Sequence, residues 1–301
     1  MPSDHRRGLL WALAAAVGIA SFVIPWKVAA SHGGTAINTL LLLTIAAVFN
    51  SLLTGFRKRS FPRFRPFDLG IAAALATFTL FGNLASAAAI QHLSPALLTV
   101  MQRSEVIIVA LLAWPIIGER IEARFWIGAA VAGFGLFLLQ DAVSASEPRA
   151  VGMTWAAVSA FCFASMAVIT RLFIQRIDLV AVNALRLWIA VALWFVFNGF
   201  PAEIFEVSAA QAGYVGLAAF FGPFLGRLCM MNSARYIEAR VTTLATLAAP
   251  PLTLLLATVL LADQPSAREI QGGIVMLIGI AIPVLGWAKQ RPASDASASN
   301  S

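Results

Sequence analysis

Runs of about 20 apolar residues recur along almost the whole chain, separated by short segments that carry charge, glycine or proline. Such runs predict membrane-crossing helices, because about 20 residues at 1.5 Å per residue span the hydrocarbon core of a bilayer. The alternating segments that are typical of transmembrane strands are not seen. The pattern predicts an all-α polytopic membrane protein whose helices cover residues 8–29, 37–56, 68–90, 95–116, 124–140, 152–171, 180–199, 209–232, 239–261 and 270–288.

The second half of the chain repeats the first at a constant offset. Gly8 and Trp11 recur 144 residues later as Gly152 and Trp155, and the offset holds without a gap. Because each repeat has five helices, an odd number, the second repeat must enter the membrane from the opposite side. We therefore expect two inverted five-helix repeats around a central cavity. Further matched pairs are Ser21/Ser165, Lys27/Arg171, Gly82/Gly226, Thr99/Thr243, Gly128/Gly272 and Gly135/Gly279.

Basic residues predict the orientation of the chain. The connections on one side hold most of the 21 lysines and arginines, whereas the opposite side holds only Arg149 and Arg268. Because lysine and arginine are retained in cytoplasmic loops, both termini are predicted to be cytoplasmic, in a bacterial inner (plasma) membrane. The predicted units are a cytoplasmic N-terminus (1–7), a first repeat (8–140), a periplasmic linker (141–151), a second repeat (152–288) and a disordered cytoplasmic tail (289–301).

Composition agrees with this class. The chain is 60% hydrophobic and 12% charged, with a mean hydropathy of +0.84, whereas a soluble protein is about 25% charged. The net charge of +7 is explained by the basic loops, so nucleic acid is not an expected partner. The sequence has no phosphate-binding loop, zinc-protease or hydrolase motif, and its three histidines are scattered. We expect no cofactor, no metal and no enzymatic activity.

The fourth predicted helix contains charges where they are most costly. Within "TVMQRSEVIIVALL" (99–112), Arg103 lies near the middle of the bilayer and Glu105 follows two residues later. A charged side chain at that depth costs about 2.5 to 3.5 kcal/mol, so it usually faces a cavity or a partner. On a continuous helix the two side chains point to opposite faces and form no simple ion pair. A salt bridge from Arg103 to another helix, and an ion pair of Glu105 with Arg186 or Lys27, are the competing interpretations.

Other polar residues at membrane depth complete the candidate site. Asn183 and Arg186 share one helix face, and Thr246 precedes a proline pair that should interrupt the ninth helix. Interface anchoring of Lys27 and Arg227, and helix packing by Asn83 and the threonines, are the simpler roles. If Arg103 and Arg186 both face the cavity, Glu105 offsets only one, and a carboxylate-bearing substrate is favoured. The predicted substrate-binding residues are Arg103, Glu105, Gln102, Thr99, Asn83, Trp26, Lys27, Asn183, Arg186 and Thr246.

Two pairs of segments carry a family resemblance. They are "SPALLTVMQRSEVIIVALLAWPIIGERI" with "FWIGAAVAGFGLFLL", and "ARVTTLATLAAPPLTLLLATVLLADQP" with "IQGGIVMLIGIAIPVLG". The chain resembles the drug/metabolite transporter superfamily, specifically its ten-helix EamA-type family. The resemblance implies a basket-like bundle in which the fifth and tenth helices are peripheral. It also implies a structural role for Glu119. Members of the family often carry an arginine early in the second and seventh helices. Arg186 matches this position in the seventh helix, whereas the second helix has Leu42 there.

The predicted function is secondary transport of a small metabolite, an amino acid or another carboxylate-bearing compound, by alternating access and in the direction of export. Uptake, or exchange of a larger metabolite or vitamin, is the alternative. A membrane enzyme using Arg103, Glu105 and His92 as an acid–base cluster is a less favoured rival. The expected partners are a small-molecule substrate and the lipid bilayer, while protons as coupling ions and a homodimer stay open.

Overall fold

The structure is a computed structural model that describes residues 2–58, 65–117, 123–143, 147–173, 179–233, 236, 245–262 and 264–288. Within these ranges the regular elements are all helical. In chain order the helices are α1 (Pro2–Ala30), α2 (Thr35–Lys58), α3 (Pro66–His92), α4 (Pro95–Gln102), α5 (Glu105–Ile117), α6 (Ala123–Val143), α7 (Glu147–Phe173), α8 (Leu179–Asn198), α9 (Ala209–Ala219), α10 (Arg227–Ser233), α11 (Ala249–Leu261) and α12 (Ala267–Ala288). A short 3-10 turn covers Ala202–Phe205, and a π-helix covers Phe220–Gly226.

The helices follow the predicted apolar runs. In the described part of the chain, seven helical segments are long and apolar enough to cross a membrane, and Ala249–Leu261 is a shorter apolar helix. The prediction of an all-helical membrane protein is confirmed at this level, while the count of ten spans stays a prediction. Several helices extend beyond their apolar runs: α1 starts within the predicted N-terminal segment and α7 within the predicted linker. Hydropathy locates only the part of a helix that lies in hydrocarbon, whereas backbone hydrogen bonding continues into the interface.

The fourth span corrects the prediction of one continuous helix. It consists of α4 and α5, which are separated by a turn at Arg103 and Ser104. The eighth span is also irregular, because the π-helix lies between α9 and α10. Glu119, for which the resemblance implies a structural role, the repeat-matched Thr243 and the tail 289–301 lie outside the described residues.

The core forms between the two halves of the sequence. α3 packs against α7, α2 against α8, and α1 against α9, α10 and α11, so each pairing joins the first half to the second. Trp26 and Trp194 are fully buried in the largest apolar cluster. Large apolar side chains such as Phe56 and Phe205 are exposed on the outer surface. An apolar exterior of this kind fits a protein whose surroundings are lipid.

α6 and α12 pack mainly against each other, and they do so symmetrically. A Cβ atom added to Gly135 would lie 2.8 Å from the carbonyl oxygen of Gly272, and one added to Gly279 would lie 2.7 Å from that of Gly128. Adding 144 to Gly135 gives Gly279, and subtracting 144 from Gly272 gives Gly128. The repeat offset therefore converts the first contact into the second. A contact in which residue i meets j and j meets i is the signature of a two-fold axis. Only glycine fits at these crossing points.

Candidate functional site

The interruption of the fourth span places Arg103 at a tight turn. The backbone N–H of Arg103 donates to the carbonyl of Val100 at 3.0 Å, and that of Ser104 donates to Met101 at 3.1 Å. These bonds close over three residues instead of the four of an α-helix. The Ser104 hydroxyl also donates to the carbonyl of Met101 at 2.7 Å, a back-bond that bends helices. The break therefore forms without a proline or glycine at the turn.

The ninth span is interrupted at the matching point. Leu247 and Ala248 form a turn, and the N–H of Ala248 donates to the carbonyl of Ala245 at 3.1 Å. Adding 144 to the numbers of Ser104 and Met101 gives Ala248 and Ala245, so this hydrogen bond corresponds to the one from Ser104 to Met101. Here the cause is clear, because Pro250 and Pro251 occupy the first turn of α11 and cannot continue a preceding helix. Interrupted helices at corresponding positions of two repeats are the best structural indication of a transporter's binding site.

A π-helix lies directly before a second arginine of the spans, Arg227. Phe220–Gly226 ends directly before Arg227, the first residue of α10. α1 approaches this segment closely, since a Cβ atom at Gly18 would lie 3.0 Å from the carbonyl oxygen of Phe221 and 3.1 Å from the Cα of Gly226. The matched residues of the first repeat, 76–82, lie within the regular helix α3. π-helical turns within α-helices occur frequently at functional sites.

The charges at these irregular segments do not balance. The carboxylate of Glu105 interacts electrostatically with Arg103 and with Arg227, and Arg227 in turn repels Arg186. Among the described residues, no ion pair within 4.0 Å joins Glu105 to either arginine. The buried Nε of Arg103 has no hydrogen-bond partner in the described part of the chain. An unsatisfied buried donor costs about 1 to 3 kcal/mol, so this atom marks a place for an acceptor.

Arg186 has a different environment. Its Nε donates to Asn183 Oδ1 at 2.9 Å, which confirms that the two residues share a helix face, and its Nη1 donates to Thr79 Oγ1 at 3.0 Å and to the sulfur of Met166. Asn183 donates to Asn50 Oδ1 at 2.8 Å. Arg186, Asn183, Asn50 and Thr79 are each at most 6% exposed. This network joins α2, α3, α7 and α8, and its hydrogen bonds give Arg186 a structural role.

Lys27 and Trp26 lie near the end of α1. Lys27 Nζ donates to the carbonyls of Ile90 and Leu93 at 2.6 and 2.9 Å, which caps the C-terminal end of α3. Trp26 is 1% exposed and stacks on Phe22, and its Nε1 has no partner among the described residues. Lys27 and Arg186 were the two ion-pair partners considered for Glu105. In the structure, both donate to other groups.

Four further predicted residues make hydrogen bonds or are buried between helices. Gln102 donates to Ser86 and Ser159 at 3.2 and 3.4 Å, which connects α4 to α3 and α7. Thr99 donates to the carbonyl of Pro95 at 2.8 Å and to Thr253 Oγ1 at 3.4 Å, and Asn83 donates to the carbonyl of Thr79 at 2.7 Å. Thr246 is buried beside the interruption of the ninth span. These contacts are typical of polar helix packing.

Among the described residues, no ion pair joins His92 to Glu105, with which the rival enzyme interpretation combined it. His92 is the exposed last residue of α3, whereas Arg103 and Glu105 are at the turn between α4 and α5. Arg227, which interacts electrostatically with Glu105, is not among the predicted substrate-binding residues, because it was interpreted as an interface anchor. The repeat offset carries the missing signal, since Asn83, a predicted site residue, is matched by Arg227.

A separate cleft opens at one end of the bundle. It has a volume of about 240 Å³ and lies between the turn after α1 and the start of α9. Its polar lining residues are His32, Glu203, Glu206 and Gln211. One of these residues, Gln211, donates through Nε2 to Asn38 Oδ1 at 2.8 Å, which links α9 to α2. The sequence predictions did not include these residues.

Comparison with known proteins agrees with the repeat and the fold. No curated protein matches the sequence. A solved structure described as "Crystal structure of protein" superposes with a TM-score of 0.64 at 18% identity, covering 95% of this chain and 99% of that one. The profile of the EamA-like transporter family matches twice, over residues 6–140 and over residues 150–285. Because these two matches cover most of the sequence, the chain belongs to the EamA-like transporter family, within the drug/metabolite transporter superfamily.

Proposed function

We propose that this protein is a secondary transporter that moves a small carboxylate-bearing metabolite across the bacterial inner membrane by alternating access, in the direction of export. The observation that carries the proposal is the charge at the interrupted helices. Arg103 and Arg227 are both attracted to a single carboxylate, that of Glu105. An anion supplied by the substrate balances the remaining charge.

The chemistry of the arginines favours a carboxylate. A guanidinium group presents donors in a planar fork that matches the two oxygens of a carboxylate or phosphate. The buried Nε of Arg103 is a donor without an acceptor among the described residues. A cationic substrate at this position would be repelled by Arg103 and by Arg227, which also repels Arg186.

Alternating access is supported by the pairing of the two halves. The family profile matches each half separately, and the glycine contacts of α6 and α12 exchange under the offset of 144 residues. Matched interruptions in the fourth and ninth spans complete the pattern. Two inverted repeats, with both termini in the cytoplasm, can rock about a site between them and expose it to each side in turn.

Binding to the purified protein in detergent tests this function. Acetate, alanine and succinate, added at constant ionic strength, should raise the unfolding temperature, because a ligand that binds the folded state stabilises it by about 2.7 kcal/mol at 100 times its Kd. Arg103→Gln should abolish the shift. Arg149→Gln is the matched control, since Arg149 is an exposed arginine that pairs with Glu269 at 3.5 Å. A shift with propylamine but not with carboxylates, or a full shift in Arg103→Gln, would refute the proposal.

A further inference from the structure

Two buried amide side chains join the repeats at the end of the bundle where the cleft lies. Gln211 Nε2 of α9 donates to Asn38 Oδ1 of α2 at 2.8 Å, and both residues are at most 4% exposed. Asn38 Nδ2 also donates to the carbonyls of Ala29 and Gly33 at 2.9 and 3.0 Å, which holds it against the turn between α1 and α2. The backbone N–H of Gln211 donates to Ser208 Oγ at 3.1 Å, which holds it at the start of α9. One hydrogen bond thus connects a fixed corner of the first repeat to a fixed helix end of the second.

α2 is joined more firmly to α8 than to α9. Three side-chain hydrogen bonds connect α2 with α8: Asn183 Nδ2 to Asn50 Oδ1 at 2.8 Å, Trp188 Nε1 to Ser51 Oγ at 2.9 Å, and Trp194 Nε1 to the carbonyl of Ala36 at 3.0 Å. Among the described residues, the bond from Gln211 to Asn38 is the one side-chain hydrogen bond between α2 and α9. Separating α9 from α2 therefore breaks one such bond, whereas separating α8 from α2 breaks three.

The matched positions at the opposite end of the bundle are apolar. Adding 144 to Asn38 gives Val182, and subtracting 144 from Gln211 gives Phe67. Val182 is buried in a small apolar cluster with Ile71 and other residues of α3 and α7. The polar contact between the repeats is thus a feature of one end, and that end is the one with the cleft, because Gln211 lines it.

We propose that the hydrogen bond between Gln211 and Asn38 is the outer gate of the carrier: it is intact when the carrier is closed on the side of the cleft, and it breaks in the outward-open form. This inference rests on the transport function and the orientation proposed above, which place the turn between α1 and α2 outside. The cleft of about 240 Å³ brings solvent to Gln211. Water can therefore hydrate both amides as they part, which keeps the net cost of opening to that of an ordinary exchanged hydrogen bond.

Gly33 offers a variant that breaks the gate without removing either amide. A Cβ atom added to Gly33 would lie 2.7 Å from Cδ of Gln211 and closer still to its Nε2. The flexible end of Gln211 must then move aside, so the closed form loses the hydrogen bond to Asn38. Gly34 is the matched control, because a Cβ atom added there would meet nothing within 4 Å.

Thiol labelling in right-side-out membrane vesicles tests the gate on the full-length protein. Val215→Cys is the reporter, because Val215 is fully buried and lies one turn deeper in α9 than Gln211. A membrane-impermeant maleimide should label this thiol slowly. Adding Gly33→Ala or Gln211→Leu should raise the labelling rate about threefold to tenfold, since the net loss of one hydrogen bond shifts a two-state equilibrium by about that factor. Gly34→Ala should leave the rate unchanged.

A second reporter separates opening from general loosening. Val182→Cys lies at the opposite end of the bundle, and its labelling in inside-out vesicles should not rise with Gly33→Ala or Gln211→Leu. A rise at both ends, or an unchanged rate at Val215→Cys in either variant, would overturn the gate. The protein without a reporter gives the background, because Cys162 and Cys229 are buried.

The labelling experiment contains no carboxylate, so it fails independently of the proposed substrate. If labelling rises as expected while acetate gives no stability shift, the gate stands and the carboxylate substrate is wrong. If acetate gives the shift while labelling stays unchanged, only the gate is wrong.

Discussion

Substituting alanine at the crossing of α6 and α12 gives a quantitative test of the two-fold arrangement. A Cβ atom at Gly135 would lie 2.8 Å from both the Gly272 carbonyl oxygen and the Met276 Cα, whereas ordinary contacts begin at 3.4 Å. The Met276 backbone nitrogen would be closer still, so the helices must separate by more than about 0.6 Å, and overpacking of this kind costs about 1 to 3 kcal/mol. Alanine also gains about 1 kcal/mol over glycine in helix propensity.

Gly133 provides the matched control for this experiment. It lies in the same helix, and a Cβ atom added there would meet nothing within 4 Å. Gly133→Ala should therefore show the propensity gain alone. The difference in unfolding free energy between Gly135→Ala and Gly133→Ala isolates the packing cost, about 1 to 3 kcal/mol.

Equilibrium unfolding of the purified protein in mixed micelles, followed by far-ultraviolet circular dichroism, measures these differences. Gly279→Ala should lose as much stability as Gly135→Ala, because its Cβ atom would lie 2.7 Å from the Gly128 carbonyl oxygen. If Gly135→Ala is as stable as Gly133→Ala, the close crossing is wrong. If the two crossing variants differ by more than about 1 kcal/mol, the crossing is not symmetric, since equivalent contacts carry similar energies.

Three further predictions follow from the polar contacts. Asn183→Leu should destabilise the protein by about 1 to 3 kcal/mol, because Arg186 Nε and Asn50 Oδ1 lose their partner. In the same unfolding measurement, the control Asn198→Leu, at the exposed end of α8, should change the unfolding free energy by no more than about 0.5 kcal/mol. Lys27→Met should lower the unfolding free energy by about 0.3 to 1 kcal/mol, because α3 loses its cap. The acetate-induced shift in unfolding temperature should remain, and its loss would place Lys27 in the binding site. In vesicles, Glu105→Gln should retain exchange of the radiolabelled carboxylate that gives the largest stability shift, while net flux falls, because the empty carrier must then return without the negative charge of Glu105 beside its arginines. Equal loss of both fluxes would contradict this prediction.

Much of the fold could be predicted because bilayer thickness imposes a length on apolar runs. The helices that the structure describes lie over the predicted runs, and the repeat offset found in Gly128/Gly272 and Gly135/Gly279 reappears as physical contacts. The interruption before Pro250 and Pro251 was also predictable, because proline cannot continue a preceding helix.

The interruption at Arg103 could not be predicted from the same signals. Neither proline nor glycine marks the turn, and the apolar pattern continues through it, so the stretch resembles one helix. A projection at 100° per residue then places Arg103 and Glu105 on opposite faces, but that geometry holds only while hydrogen bonds close over four residues. Partners on other helices, such as Arg227 for Glu105, depend on packing that no local pattern encodes.

The matched interruptions share a backbone geometry but not a chemistry. Where the first repeat has Arg103 and Glu105, the second has Leu247 and Ala249. For a carrier with two inverted repeats, the inward-open and outward-open forms would then be similar in shape after a two-fold rotation but unequal in their electric field. Such a carrier would release its substrate more easily to one side than to the other, so its sidedness would be an equilibrium property of one asymmetric repeat.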